Sequence, residues 1–219
     1  MRLNKWLAEH TRYSRRGADE LISQGKVSIN GIPATVGQLV QHGDTVLIDG
    51  QPVHNTEAKK VVVLLHKPVG YVCSRKGQGA YTVYSLLPLH LHHLDIAGRL
   101  DKDSSGLVVL TNDGTLTHSL THPSQNKIKE YIISLNKPLS EQDEKAIING
   151  VQLDDGVSRL SLHATTKIRD TFVVRMSEGR NRQIRRTFSQ LGYTVKTLHR
   201  QTVADYHLGN LKQGSFIVL

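Results

Sequence analysis

A short polar stretch, residues 55–60, separates two segments of the chain that follow different hydrophobic patterns. Ahead of it, apolar residues recur at helical spacing and then alternate in short strands. Behind it, the apolar run 61–65 opens a longer segment of mostly strand-like patterns with a few helices. The sequence therefore predicts an α+β protein with two domains, residues 1–57 and residues 58–219.

The first segment has the pattern of two helices followed by short strands. Leu3 and Leu7 share one face of the first predicted helix, and Ser14 can cap the second helix at its start. Asn30-Gly31 and Gly43-Asp44 predict tight turns between strands. Three arginines cluster at the start of the second predicted helix: Arg12, Arg15 and Arg16. They could form a solvated charged face, or they could bind RNA phosphates together with the N-terminus of the helix.

The second segment shows strands and helices with clear end signals. Residues 106–111 form an apolar strand, and residues 127–135 alternate as a half-buried strand does. Residues 140–143 resemble a capping box that opens a helix ending near residue 150. Residues 182–191 predict a basic helix.

Positive charge is concentrated in one part of the chain. The formal net charge is +9, from 28 Lys and Arg against 19 Asp and Glu. Residues 165–200 hold nine Lys or Arg against two acids, whereas residues 1–58 hold six of each. A local excess suits a surface that tracks phosphates, although a basic protein without a polyanionic partner can carry the same net charge.

The chain has features typical of a cytoplasmic protein. Its one cysteine, Cys73, cannot form an internal disulfide, and we expect it in a buried strand. The first residues lack the apolar core of a signal peptide, and the longest apolar run is too short to span a membrane. We therefore expect a soluble, monomeric, cytoplasmic protein without a membrane partner.

Residues 98–107, which contain two aspartates and two serines, have three possible readings. They could be a polar turn or the start of a calcium loop, but the twelfth loop position is Asn112 where calcium needs a bidentate Glu. Neither the tract at residues 90–93 nor the pair His118 and His122 has the partners of a zinc site. The sequence thus predicts no metal, and leaves an active-site segment as the third reading.

That third reading comes from a resemblance. Gly98-Arg99-Leu100-Asp101 resembles the active-site motif of the RsuA-type ribosomal RNA pseudouridine synthases. Four further motifs of that family follow its order, with His66 in place of an Asn, at residues 66–70, 111–114, 129–131 and 178–186. Residues 2–50 resemble the S4 RNA-binding domain, so the two resemblances together cover nearly the whole chain.

The resemblance implies an S4 domain ahead of a catalytic domain with a mixed, mainly antiparallel sheet and flanking helices. It makes Asp101 the nucleophile, Arg185 the cation that keeps it ionised, and Tyr131 the ring that stacks on uracil. Isomerising uridine involves no redox change and no group donor, so no cofactor is expected. The expected RNA contacts, some of which could instead be structural ion pairs, are Arg99, Lys67, Lys129, Arg180, Arg182 and Arg186.

Three hypotheses about function remain. The first is an enzyme that acts on ribosomal RNA, free or within a pre-ribosomal particle, with 23S RNA ahead of 16S RNA. The second is a similar enzyme that acts on tRNA, and the third is a non-catalytic RNA-binding or ribosome-assembly protein. Because Asp101, Tyr131 and Arg185 are all present, the sequence favours an enzyme.

Overall fold

The computed structural model describes residues 1–11, 13–53, 59–77, 79–165 and 167–219. They form two compact units, Met1–Val61 with Asn112–Gly114 and Val62–Thr111 with Thr115–Leu219. Arg12 lies outside the described residues, and so does the predicted domain boundary at residue 57. Among the described residues, no helix is long and apolar enough to cross a membrane.

The first unit confirms the predicted order of two helices and short strands. Helices α1 (Leu3–His10) and α2 (Arg15–Ser23) precede a four-stranded sheet of order β2-β1-β3-β4. The Ser14 hydroxyl accepts a hydrogen bond from Gly17 N at 3.2 Å, as predicted for a cap. Leu3, Leu7 and Ile22 are buried in its apolar core. Its strands are β1 (Val27–Ile29), β2 (Ile32–Pro33), β3 (Val46–Ile48) and β4 (Gln51–Pro52).

The second unit is built on a large mixed sheet whose central strand order is β11-β12-β8-β13-β7-β5-β15. Strand β6 pairs with β7, and β14 pairs with β13. The strands of this sheet are β5 (Val62–Lys67), β6 (Asp95–Ala97), β7 (Ser105–Thr111), β8 (Lys129–Leu135), β11 (Ser161–Ala164), β12 (Thr171–Met176), β13 (Val195–Val203), β14 (Tyr206–His207) and β15 (Phe216–Val218). A separate hairpin consists of β9 (Val151–Leu153) and β10 (Gly156–Ser158).

Among the described residues, three further α-helices are α3 (Gly114–Thr121), α4 (Glu141–Asn149) and α5 (Gln183–Gln190). The last two confirm the helices predicted to end near residue 150 and to span residues 182–191, whereas the sequence patterns did not define the first. Ser140 caps α4 by accepting a hydrogen bond from Asp143 N at 3.1 Å. Cys73 is buried as predicted, but the strand expected around it is wrong, because the chain bends there.

The sheet is mainly antiparallel, and β7 and β13 are its parallel pair among the described strands. In that pair Gly106 lies opposite Arg200. Gly106 has φ +112°, and a Cβ added there would lie 2.2 Å from Arg200 O and 2.5 Å from Arg200 N. Glycine is therefore required for the two backbones to approach each other.

Replacing Gly106 by Ala should lower the free energy of unfolding by roughly 2–6 kcal/mol, because the methyl group would overlap main-chain atoms and strain a positive φ. Urea unfolding followed by circular dichroism would measure this. Gly114, at the start of α3, is the matched control, because a Cβ there meets nothing within 4 Å. Gly114→Ala should change stability by less than about 1 kcal/mol, and an equally small effect of Gly106→Ala would contradict the close approach.

Candidate active site

An open pocket of about 690 Å³ lies in the second unit. Its wall is formed by the segment that precedes β7, by the last turn of α3, by the start of β8, by residues 176–185 and by β13. Asp101, Tyr131 and Arg185 all line it, together with Arg99 and Arg182. Residues from three of the motifs named above, at 98–101, 129–131 and 178–186, thus meet around one cavity.

Asp101 lies in the loop between β6 and β7, and its side chain is 39% exposed. The loop turns back at this point, since Ser104 N donates to Asp101 O at 3.1 Å. The cation nearest to the carboxylate is Arg182, whose Nη1 is 3.5 Å from Asp101 Oδ2. That distance is an ion pair rather than a good hydrogen bond, so the carboxylate is only loosely held.

Asp103 binds two of the four arginines of the basic motif, Arg182 and Arg185. Its carboxylate accepts hydrogen bonds from Arg182 Nη1 at 3.1 Å and from Arg182 Nη2 at 2.9 Å. Arg185 Nε lies 3.3 Å from the same carboxylate, and Arg185 Nη2 donates to Asp103 O at 3.0 Å. The hydrogen bonds from Arg182, followed by the charge of Arg185, hold the pKa of Asp103 below its usual value.

This arrangement differs from the expectation that Arg185 pairs with Asp101. Within the described parts of the chain, no ion pair joins those two side chains. Arg182, which was expected to contact RNA or to form a structural ion pair, lies beside the nucleophile candidate instead. The choice could not be read from the sequence, because Arg182 and Arg185 lie one helical turn apart and both reach the same loop.

Tyr131 lies on β8 with its side chain in the pocket wall and is 7% exposed. It pairs in register with Arg200 on β13 and with Val174 on β12. The ring is therefore fixed by its neighbours, as a surface on which a flat base can stack must be.

Two lysines that were expected to contact RNA are buried instead. Lys67 is fully buried, and its ammonium group donates to Ser104 O at 2.6 Å and to Pro68 O at 3.0 Å. Lys129 is 9% exposed and donates to Lys127 O and Ser177 O, each at 3.2 Å. Burial lowers the pKa of both side chains. Lys67 thus anchors the loop after Asp101 through Ser104 O. The expectation that Lys67 contacts RNA is not met, because its side chain has no access to solvent.

Arg200, a third buried cation among the described residues, was not singled out in the sequence analysis. Arg200 is 2% exposed and lies against the pocket. Its guanidinium donates to Leu107 O at 2.8 Å, to Gly98 O at 3.1 Å and to Arg99 O at 3.3 Å. The available signal was an arginine at an inward position of an otherwise apolar alternating strand.

The other arginines that were expected to contact RNA fall into two groups, one exposed and one held in ion pairs. Arg99 is exposed at the pocket, and Arg15 and Arg16 are exposed at the start of α2. Arg180 and Arg186, by contrast, are held by the Asp155 carboxylate at 2.8 Å and 2.7 Å, which is the structural alternative considered for them. Among the described residues, no cluster of three or more His, Cys, Asp or Glu side chains could hold a metal ion.

The geometry suits one kind of chemistry. A loosely held carboxylate faces a pocket that also contains a fixed aromatic ring and exposed arginine, with two buried cations against its wall. A carboxylate of this kind can attack an electrophilic carbon while the ring holds a flat substrate group. The positive surroundings favour an anionic substrate and stabilise negative charge that develops during the reaction.

Comparisons with known proteins agree with this geometry. Residues 61–190 match the family model described as RNA pseudouridylate synthase, and residues 1–46 match the S4 domain. The chain is 35% identical to the dual-specificity RNA pseudouridine synthase RluF of Escherichia coli, covering 99% of this chain and 74% of that protein. It is 34% identical to the ribosomal small subunit pseudouridine synthase A of Pasteurella multocida, covering 99% of this chain and 94% of that protein.

Two further proteins extend the comparison. The ribosomal large subunit pseudouridine synthase B of Vibrio vulnificus is 35% identical, with 100% of this chain and 71% of that protein covered. A crystal structure titled pseudouridylate synthase superposes with a TM-score of 0.72 at 31% identity, covering 100% of this chain and 96% of that one.

Cys73 provides a test of how tightly the loop is packed. Its thiol accepts a hydrogen bond from Leu100 N at 3.4 Å, one residue before Asp101, and burial raises its pKa. A disulfide reagent such as DTNB should label the native protein at least about 100-fold more slowly than the urea-unfolded chain at mildly alkaline pH, because the thiol is shielded and protonated. Comparable labelling rates in the two states would contradict the packing of this loop.

Proposed function

This chain belongs to the RNA pseudouridylate synthase family, and we propose that it converts a specific uridine of ribosomal RNA to pseudouridine with Asp101 as the nucleophile. The observation that carries the proposal is the loosely held Asp101 carboxylate in a pocket shared with Arg182 and Tyr131. The second unit supplies the chemistry. Residues 1–57 supply an S4 domain that binds the RNA.

The reaction is an isomerisation that conserves every atom of the nucleotide. The Asp101 carboxylate attacks either the uracil ring or C1′ of the ribose, and the bond between N1 and C1′ breaks. The base turns, C5 bonds to C1′, the carboxylate leaves, C5 loses its proton and N1 gains one. No electrons are gained or lost overall, so the reaction by itself requires neither a cofactor nor a metal.

Each pocket residue has a role in this scheme. Arg182 forms an ion pair with Asp101 at 3.5 Å and orients its carboxylate. Tyr131 stacks on the uracil while it detaches and turns, and its hydroxyl can assist proton transfer from C5. Arg99 fills the space that the flipped uridine leaves in the RNA. Arg200 contributes positive potential that stabilises a detached, anionic uracil.

The substrate class rests on the relatives. These relatives include a pseudouridine synthase of the large ribosomal subunit, at 35% identity, and one of the small ribosomal subunit, at 34% identity. We propose ribosomal RNA, with 23S ahead of 16S, because residues 2–5, 98–104 and 181–186 resemble the large-subunit members more closely. Mapping pseudouridines in ribosomal RNA from a strain that lacks this protein would identify the subunit and the position.

Asp101→Asn should abolish tritium release from RNA labelled at uridine C5, with a loss of at least about 1,000-fold, because an amide cannot serve as the nucleophile. RNA affinity should change less, by about threefold or less, since only one of the pocket contacts is altered. Asp154→Asn is the matched control, because it removes the same charge from an exposed hairpin residue. Tritium release by Asp101→Asn at the wild-type rate would overturn the assignment of the nucleophile.

The double variant Arg15→Ala/Arg16→Ala should bind RNA with a flatter salt dependence. Each phosphate contact contributes about 0.7–0.9 to the slope of log affinity against log salt, so the slope should fall by roughly 1.4–1.8. Lys145→Ala/Lys167→Ala removes the same charge from exposed residues of the second unit and should leave the slope unchanged. If both double variants keep the wild-type slope, the S4 arginines do not contact the backbone.

A further inference from the structure

Asp103 binds two of the arginines of the candidate active site. Its carboxylate is 46% exposed and does not line the pocket, yet it binds two arginines that do. Arg182 holds it with two hydrogen bonds, and Arg185 binds both its carboxylate and its main-chain oxygen. Fork-like pairing of this kind fixes a guanidinium in direction as well as in distance.

Asp101 has the opposite surroundings. Its one ion pair among the described residues is the 3.5 Å contact with Arg182. A carboxylate bound bidentately by arginine has its lone pairs engaged, which weakens it as a nucleophile. A carboxylate that lies near a guanidinium but is not bound tightly by it keeps its charge and its lone pairs.

The backbone of Arg182 adds an independent observation. Arg182 precedes the first residue of α5 in a left-handed conformation, with φ 46° and ψ 31°. A residue other than glycine adopts that conformation at a cost, and surrounding contacts must maintain it. The pair with Asp103 is such a contact.

We propose that Asp103 is a positioning residue of the reaction: it keeps Arg182 at ion-pair distance from Asp101 and keeps Arg185 from pairing with it, so that the nucleophile remains free to attack. This inference rests on the proposed role of Asp101. Loss of the Asp103 charge releases Arg182. Its guanidinium then forms hydrogen bonds with the Asp101 carboxylate, whose lone pairs are no longer free.

Asp155, in the hairpin between β9 and β10, shows what a purely structural pair looks like. Asp155 binds Arg180 and Arg186 through both of its oxygens, at 2.8 Å and 2.7 Å. Like Asp103, it is an exposed aspartate that binds two arginines of the basic motif. Among the described residues, however, neither of these two arginines forms an ion pair with Asp101. Asp155→Asn is therefore the matched control for Asp103→Asn.

The test measures single-turnover tritium release at saturating enzyme and, separately, the RNA dissociation constant of the full chain. Asp103→Asn should slow release by roughly 10- to 100-fold, because small displacements of catalytic groups cost that much. Its RNA affinity should stay equal or increase, since a negative charge is removed beside the RNA. Asp103→Glu should recover most of the rate, and Asp155→Asn should leave the rate within about twofold of wild type.

Coupling to Arg182 provides the second readout. Arg182→Gln should also slow release, and adding Asp103→Asn to it should cause little further loss, because both changes remove the same contact. Additive losses would overturn the proposal, and so would an Asp103→Asn rate equal to wild type. Rapid DTNB labelling of Cys73 in Asp103→Asn would also count against it, since the whole loop would then be displaced.

Asp101→Asn is included in the same series so that two kinds of failure can be told apart. If Asp101→Asn is active, the proposed nucleophile is wrong. If Asp101→Asn is inactive while Asp103→Asn behaves as wild type, the nucleophile stands and only the positioning role of Asp103 fails.

Discussion

The buried guanidinium of Arg200 is the contact on which the shape of this site depends. A buried charge is costly unless its hydrogen-bonding groups are satisfied, and Arg200 donates to the main-chain oxygens of Gly98, Arg99 and Leu107. Two of these oxygens belong to the loop that carries Asp101. The contact is possible because Gly106 lets the backbone of β7 approach that of β13. The sheet itself therefore fixes the loop that carries Asp101.

Hydrogen bonds hold the backbone of the loop that carries Asp101, whereas the Asp101 side chain has one ion pair among the described residues. Arg200 binds the main chain before Asp101, Lys67 binds Ser104 O after it, and Cys73 accepts a hydrogen bond from Leu100 N beside it. These supports act on the backbone, so none of them occupies the carboxylate. This arrangement suits the role proposed for Asp101, because a carboxylate nucleophile must be oriented without having its oxygens occupied.

The sequence predicted the fold class, the order of the elements and the caps at Ser14 and Ser140, because those depend on local patterns. It could not predict which arginine lies beside Asp101, since that depends on the left-handed backbone of Arg182 and on competition from Asp103. It also could not predict that Lys67 is buried. A lysine near a motif is usually exposed, and only the register of β5 against β7 shows otherwise.

The formal charge of +9 overstates the positive charge that RNA can meet at the pocket. Arg180 and Arg186 are paired with the Asp155 carboxylate. Arg99, exposed at the rim of the pocket, has no side-chain hydrogen bond or ion pair among the described residues. Paired arginines add little long-range attraction, because their partners cancel their field beyond a few ångströms. Under the proposed function, selection among RNAs would therefore depend on a few exposed cations, such as Arg99 and the arginines of α2, and on the shape of the RNA rather than on the total charge.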